Sequence, residues 1–212
     1  MRQRYGRILL GALIVALIPF SATAQQENVP AQEPRELVEA FHATLLDVMK
    51  RADILGYGGR REQLGPALDQ VYNLRLMIHW LVGRAIWKEL DEAGKNRLLE
   101  AFKSMTLATY ASRFDGYSGQ RFVTIEEREG LRNDFLVRTE LVDTDGDSIS
   151  LDYLVRQHNG EWKVIDVFLK RISEMATRKS EYTSVIRRAG IDGLIELLET
   201  KVQEIEDEEA AS

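Results

Sequence analysis

The sequence predicts an α+β fold in which helices cover one face of a curved antiparallel sheet. Apolar residues recur every three or four positions from Pro34 to about Tyr117, which is the spacing of amphipathic helices. Between Arg121 and Lys170 the period changes to two, and helical spacing returns after Ile172. This segregated order of helices, strands and helices is typical of the α+β class.

The N-terminal 24 residues have the pattern of a cleavable secretory signal. Three arginines within the first seven residues precede an uncharged apolar run, residues 8–20, which is shorter than the roughly 20 residues of a membrane-spanning helix. Residues 21–24 (SATA) are small and fit the A-x-A pattern of signal peptidase sites. We therefore predict cleavage before Gln25 and export, against the alternative of an uncleaved N-terminal anchor.

Cysteine usage and charge limit the possible functions of the exported chain. The sequence contains no cysteine, which excludes a disulfide framework, a cysteine nucleophile and lipid attachment at an N-terminal cysteine. It has 28 basic and 34 acidic residues, a net charge of −6, and losing the three leader arginines would bring this to about −9. Such a balance argues against nucleic acid and against general electrostatic attachment to anionic lipid.

The helical part is predicted at residues 35–117, after a disordered leader at residues 25–34. A first helix begins near Pro34, and the glycines of residues 56–59 are predicted to break it. Residues 74–87 are apolar on most sides and are therefore either buried or lining a cavity. Gly94 is predicted to separate this segment from a further helix, which ends near Gly116 and Gly119.

The sheet is predicted at residues 118–170, as a meander of four strands. Ile149, Leu151, Tyr153 and Val155 alternate with polar residues and Leu154, as in a half-buried strand. Asn159-Gly160 is a strong hairpin signal between the last two strands. Two C-terminal helices within residues 173–205, separated at Gly190, complete a single domain of residues 35–205, and residues 206–212 are predicted to be a solvated, frayed acidic tail.

Metal, cofactor and catalytic signals are weak. The three histidines, His42, His79 and His158, lack the short spacing of a helical zinc pair, so no metal or cofactor is predicted. Residues 143–147 (DTDGD) resemble the start of a calcium loop, but the glycine stands at the fourth position instead of the sixth, which favours a solvated turn.

Three strand carboxylates are the remaining candidates for chemistry. Glu140, Asp152 and Asp166 could form a catalytic pair, although alternation along the strands does not place them in one cleft. Asp152 lies on the polar side of its strand and is predicted to face solvent. Asp166 shares its parity with Val164 and Phe168 and is predicted to point inward, either as a catalytic carboxylate or as a structural hydrogen-bond hub.

Several short motifs follow one another along most of the chain: residues 81–90 (LVGRAIWKEL), 95–110 (KNRLLEAFKSMTLATY), 138–139, 153–154, 160–167 (GEWKVIDV), 172–173 and 190–195 (GIDGLI). This ordered set resembles the MlaC or toluene-tolerance family of periplasmic lipid carriers. The chain departs from the family pattern at two places. Family members usually have Phe-Asp where this chain has Tyr72-Asn73, and they tend to have Gly where this chain has Arg171. Residues 172–182 resemble the hopanoid-associated branch, HpnM.

The resemblance implies an NTF2-like curved sheet with a helical subdomain, and between them a cavity that takes acyl chains without catalysis. It implies a soluble periplasmic carrier, a component of an ABC-type lipid transport system, that moves phospholipid or hopanoid between an inner-membrane transporter and an outer-membrane complex. We predict a monomer. Candidate lining residues, each of which could instead be ordinary core, are Leu76, Ile78, Leu81, Val82, Trp87, Phe102, Met105, Tyr110, Tyr153, Val164 and Phe168.

Three alternatives remain open from the sequence. The chain could be a protein associated with hopanoid biosynthesis. It could be a small enzyme on the same scaffold that uses Asp166 and Tyr153, because NTF2-like sheets host several chemistries. It could also be an interaction module that holds no ligand.

Overall fold

A computed structural model describes residues 33–211. The predicted signal and residues 25–32 of the predicted leader lie outside this part of the chain. The helices are α1 (Pro34–Lys50), α2 (Ala52–Val71), α3 (Leu74–Val82), α4 (Arg84–Glu89), α5 (Glu92–Arg113) and α6 (Glu174–Ala210). The strands are β1 (Arg121–Glu129), β2 (Phe135–Val142), β3 (Ser148–His158), β4 (Glu161–Leu169) and β5 (Ile172–Ser173), with a short 3₁₀ turn at Leu131–Asn133.

The described strands form one antiparallel sheet in the order β1-β2-β3-β4-β5, so the α+β prediction is confirmed. The sheet has one strand more than predicted. The additional strand, β5, is only two residues long and pairs with Phe168 and Leu169 of β4. A strand of this length cannot show an alternating pattern, which is why the sequence did not reveal it.

Two turns of the sheet have the local chemistry that the sequence predicts. Asn159 and Gly160 have φ angles of 52° and 86°, the left-handed conformation that a two-residue hairpin requires. In the β2–β3 turn, the Asp143 carboxylate accepts hydrogen bonds from the backbone N–H groups of Asp145 and Asp147, both at 3.0 Å. The aspartate-rich segment is therefore a turn that Asp143 itself closes.

Three glycine-based boundaries differ from the prediction. The first helix ends at Lys50, and of the four residues 56–59 only Gly56 leaves helical geometry, with φ 57° and ψ −178°, so the chain kinks inside α2. Gly94 does not separate helices, because it lies in the first turn of α5, where its N–H donates to the N-cap Asp91. Gly83, with φ 88°, instead divides the apolar segment into α3 and α4.

The C-terminal residues are helical as far as Ala210, so the prediction of a frayed acidic tail is wrong for this part of the chain. Helix α6 kinks at Gly190 but continues to Ala210. Glu209 pairs at 2.5 Å with Arg60, which is buried and also donates to the carbonyl of Ala111, and Glu206 pairs with Arg61. These ion pairs attach the end of α6 to α2. Glu206 and Glu209 therefore make structural contacts and are not merely solvated charges.

The core lies between the helices and one face of the sheet. Fully buried side chains come from α1, α2, α3, α5, α6 and the inner sides of β2, β3 and β4. Among the described helices none is long and apolar enough to cross a membrane.

Candidate functional site

An apolar cleft of about 490 Å³ lies between the sheet, the second half of α5 and the first turns of α6. Its volume falls in the range of ordinary ligand pockets. The lining residues are Tyr72, Met77, Thr106, Thr109, Tyr110, Arg113, Phe114, Leu141, Ile149, Leu151, Val167, Leu169, Lys170, Glu174, Met175 and Arg178.

The strands supply the apolar wall through their pairing register. Leu141 of β2 pairs with Ile149 of β3, and Leu151 of β3 pairs with Leu169 of β4. Paired residues share a face of the sheet, while sequence neighbours point to opposite faces. These four side chains therefore form one continuous apolar surface under the helices.

A β-bulge at Ile165 shifts the register in β4. Because of this shift, the prediction for Phe168 is wrong. Val155 pairs with Val164, but Leu154 pairs with Asp166, so Ile165 has no partner in this ladder. As a result Val164 and Val167 both point inward. Phe168, which was predicted to share the face of Val164, pairs with Asp152 on the opposite face of the sheet.

The inner end of the cleft is polar but uncharged. The hydroxyls of Tyr72 and Tyr110 hydrogen bond to each other, and burial raises the pKa of Tyr110 to about 12. In the core, outside the cleft lining, the Tyr153 hydroxyl lies 3.0 Å from Nε2 of His42, whose pKa burial lowers to about 3. The two lining hydroxyls of Tyr72 and Tyr110 are neutral at pH 7, so this part of the cleft does not oppose an apolar ligand with a buried charge.

The charged lining residues are mainly cationic. Arg113 and Lys170 are exposed, and Arg178 is half-buried and lies 3.5 Å from the carboxylate of Glu174. With three basic side chains and one acidic one, the polar edge of the cleft is electropositive. An apolar interior with a cationic edge is suited to an amphipathic ligand whose polar end is anionic.

Of the eleven residues predicted to line a cavity, only Tyr110 lines this cleft. Seven of the others are buried in the core: Phe102 and Met105 of α5, Ile78, Leu81 and Val82 of α3, and Tyr153 and Val164 of the sheet. Leu76 and Trp87 are half-buried, and Trp87 stacks on His79 at 5.1 Å, away from the cleft lining.

For several lining residues the sequence pattern predicts the element correctly but not which side chains face the cleft. The alternation in β3 correctly indicated the common face of Ile149 and Leu151. Met77 lies in the same apolar segment as the predicted lining residues Leu76 and Ile78, and only the orientation of the helix distinguishes the three. Val167 and Leu169 could not be assigned without the bulge at Ile165.

The two strand aspartates are structural in their contacts. The Asp166 carboxylate accepts hydrogen bonds from the N–H of Val167 (2.7 Å), the hydroxyl of Ser173 (2.6 Å) and the N–H of Met175 (3.2 Å). This arrangement favours the hydrogen-bond hub over the catalytic alternative. Asp152, predicted to face solvent, is buried and accepts from the N–H of Thr139 at 3.2 Å.

The pairing register also separates the two residues of the enzyme alternative. Leu154 pairs with Asp166 and Tyr153 pairs with Val167, so Asp166 and Tyr153 belong to opposite faces of the sheet. The prediction that Asp166 points to the same face as Val164 is therefore wrong, because the bulge at Ile165 lies between them. Within residues 33–211 no group of three or more histidine or acidic side chains is arranged to hold a metal ion.

These features define an α+β protein in which an apolar cleft with a cationic edge lies between helices and an antiparallel sheet. The chain belongs to the MlaC protein family, whose model matches residues 28–200. A phospholipid-binding protein from Ralstonia solanacearum, solved in complex with a phospholipid, has the same fold, with a TM-score of 0.68 and 22% sequence identity. That likeness covers 81% of this chain and 97% of the other.

Proposed function

We propose that this protein is a lipid carrier that holds the acyl part of a phospholipid in the cleft between the sheet, α5 and α6. The observation that carries the proposal is the cleft itself, which has an apolar wall of strand side chains and a neutral inner end. Membership of the MlaC family and the phospholipid in the related Ralstonia solanacearum structure support this choice of ligand.

The size of the cleft is suited to an acyl chain. A methylene group takes roughly the space of one liquid water molecule, about 30 Å³, so 490 Å³ accommodates on the order of 16 methylenes. Each methylene removed from water contributes about 0.8 kcal/mol, so one enclosed chain supplies firm binding without a charged clamp.

The head group would remain at the cationic edge. Arg113 and Lys170 are exposed, and a phosphate there stays hydrated while it approaches their positive charges. This division places the apolar part of the lipid inside and its charged part in water, as the desolvation cost of a phosphate demands.

The predicted signal at residues 1–24 supports export of the chain, and membership of the MlaC family supports a role in lipid transport. We propose that the chain works in the periplasm and moves lipid between an inner-membrane ABC transporter complex and an outer-membrane complex. A ligand held by many apolar contacts leaves slowly, so a partner that binds the open cleft more tightly than the closed one is needed for release. Binding and transport, not catalysis, are the activities proposed.

The test is the lipid content of the exported protein. The full chain is produced in an exporting host, the released protein is purified without detergent, and bound lipid is extracted with organic solvent and identified by mass spectrometry. We expect a stoichiometric phospholipid. A hopanoid would instead support the hopanoid-associated branch, and a protein that emerges empty and takes up no lipid from vesicles would contradict the proposal.

A matched pair of variants on β3 tests the location of the ligand. Leu151→Trp fills the cleft and should abolish lipid content, because Leu151 is part of its wall. Leu154→Trp makes the same chemical change on the opposite face of the same strand and should keep the lipid. Equal lipid content in two folded variants would show that the ligand lies elsewhere.

A further inference from the structure

A basic stripe runs along one side of the first half of α6. Residues Ala176, Lys179, Ser180, Thr183, Ser184, Arg187 and Arg188 line a shallow open groove. Their spacing of three and four residues places them on a single helix face that is about 18 Å long at 1.5 Å per residue. The stripe contains three cations and three hydroxyl groups, and no carboxylate from residues 33–211 lines the groove.

The cations of the stripe are not neutralised by neighbouring acids. The acidic residues of this half of α6 pair with other cations, Glu174 with Arg178 at 3.5 Å and Glu181 with Lys201 at 2.6 Å. In the described part of the chain, Lys179, Arg187 and Arg188 form no ion pair, and all three are exposed. They therefore concentrate positive charge on a protein whose net charge is −6.

An exposed tryptophan lies beside the stripe. Trp80, near the end of α3, keeps 58% of its surface exposed. The ammonium group of Lys179 lies 4.9 Å from the centre of its indole ring and donates to the Trp80 carbonyl at 3.3 Å. Tryptophan beside a cation is a typical combination at membrane–water interfaces, where the ring enters the head-group layer.

We propose that the basic stripe and Trp80 form a docking face for the surface of a bilayer that contains anionic phospholipid. The cations attract lipid phosphates, and Ser180, Thr183 and Ser184 are able to donate hydrogen bonds to the phosphate oxygens. The net negative charge does not oppose this, because charges more than about 8–10 Å from the surface are largely screened at physiological salt. The exposed indole favours a lipid surface over an acidic protein.

The docking face is adjacent to the lipid cleft. Lys179 follows Arg178, which lines the cleft, and Trp80 lies one turn beyond Met77, which also lines it. Docking through this face would therefore hold the cleft close to the head groups. The docking face depends on its own charges and exposed surface, and it would bind a bilayer whether or not the cleft holds lipid.

Vesicle sedimentation tests the proposal. The purified exported protein is mixed with vesicles of phosphatidylcholine alone or of phosphatidylcholine and phosphatidylglycerol in equal parts. We expect binding to the mixed vesicles only, weakened by added salt. Each cation near an anionic surface contributes about a fivefold increase in binding, so Arg187→Gln with Arg188→Gln should weaken binding by roughly 25-fold, and Trp80→Ala should weaken it further.

The control variant carries the same charge change on β1, where Arg121 and Arg128 are exposed. Arg121→Gln with Arg128→Gln should leave vesicle binding unchanged. Equal binding to both vesicle types, no binding to either, or an equal loss in the two double variants would overturn the proposal. Of these outcomes, absence of binding to either vesicle type would favour an acidic protein surface as the partner of the stripe. In the Arg187→Gln, Arg188→Gln variant, the lipid content measured by mass spectrometry should stay at the wild-type level. This measurement distinguishes a loss of docking from a loss of lipid binding in the cleft.

Discussion

At the residue scale, the Asp166 carboxylate connects β4, β5 and the start of α6. It accepts hydrogen bonds from one hydroxyl and two backbone N–H groups, and it is buried. Burial raises the pKa of this carboxyl, while the three donors act in the opposite direction. The residue therefore organises the junction where the sheet ends and α6 begins, next to the cleft residue Met175.

Removing this carboxylate should destabilise the fold without changing the ligand. Asp166→Ala leaves buried donors at Val167 and Met175 unsatisfied, which we expect to cost about 2–3 kcal/mol of unfolding free energy. Asp166→Asn keeps one acceptor oxygen and should cost less. Urea denaturation measures both changes. A folded Asp166→Ala protein with normal stability would show that the hub contributes nothing.

His42 is predicted to make the protein sensitive to acid. Its folded pKa is about 3 because the ring is buried, whereas an unfolded chain protonates near pH 6.5. The unfolded state therefore binds more protons between these values, so the contribution of His42 is complete above about pH 6.5 and falls by several kcal/mol towards pH 3. Thermal unfolding followed between pH 7 and pH 4 measures this slope.

The matched variants for this slope are His42→Gln and His158→Gln. Glutamine at position 42 can still hydrogen bond to Tyr153 but does not titrate, so the melting temperature of His42→Gln should fall less steeply with acid. His158 is exposed, and its replacement should keep the wild-type slope. Parallel slopes in all three proteins would contradict the assignment to His42.

At the element scale, neighbouring glycines of α2 have opposite roles. Gly56 has φ 57° and ψ −178°, a conformation that only glycine adopts readily, whereas Gly58 is helical. A Cβ atom at either position meets no atom within 4 Å, so packing does not distinguish them. Gly58→Ala should stabilise the protein by about 0.5–1 kcal/mol, and Gly56→Ala should destabilise it by about 1–3 kcal/mol. Denaturant unfolding of both variants checks the sign, and equal effects would contradict the kink.

The same glycines show what the sequence could and could not predict about the elements. The order of helices and strands follows from apolar period and turn residues, as at Asn159-Gly160. A glycine in a helical pattern, however, is compatible with a break, a kink or an uninterrupted turn. Gly56 and Gly190 each form a kink, whereas Gly94 lies in an uninterrupted helical turn. Contacts between distant elements are equally invisible in such a pattern, as for Glu209 at the end of α6, which pairs with buried Arg60 of α2.

At the scale of the whole molecule, the position of the cleft depends on relations between elements that no single segment encodes. The sequence predicts an apolar cavity, and its most apolar segments are the natural candidates for the lining. Their residues Ile78, Leu81 and Phe102, however, are buried in the core. The cleft forms where α5 and α6 leave the inner face of the sheet uncovered. Its wall therefore includes the half-buried Leu151, the exposed Ile149 and cations such as Arg178.

Because the proposed ligand replaces water along this uncovered wall, lipid should stabilise the entire fold. A ligand that binds only the folded state at about 100 times its dissociation constant adds about 2.7 kcal/mol to the unfolding free energy. We expect delipidated protein to melt at a lower temperature and to recover when phospholipid is restored. Leu151→Trp should show neither the loss nor the recovery, because tryptophan already fills the cleft, whereas Leu154→Trp should behave like the wild type. A wild-type melting temperature that is independent of lipid would mean that the uncovered wall of the sheet is not where phospholipid binds.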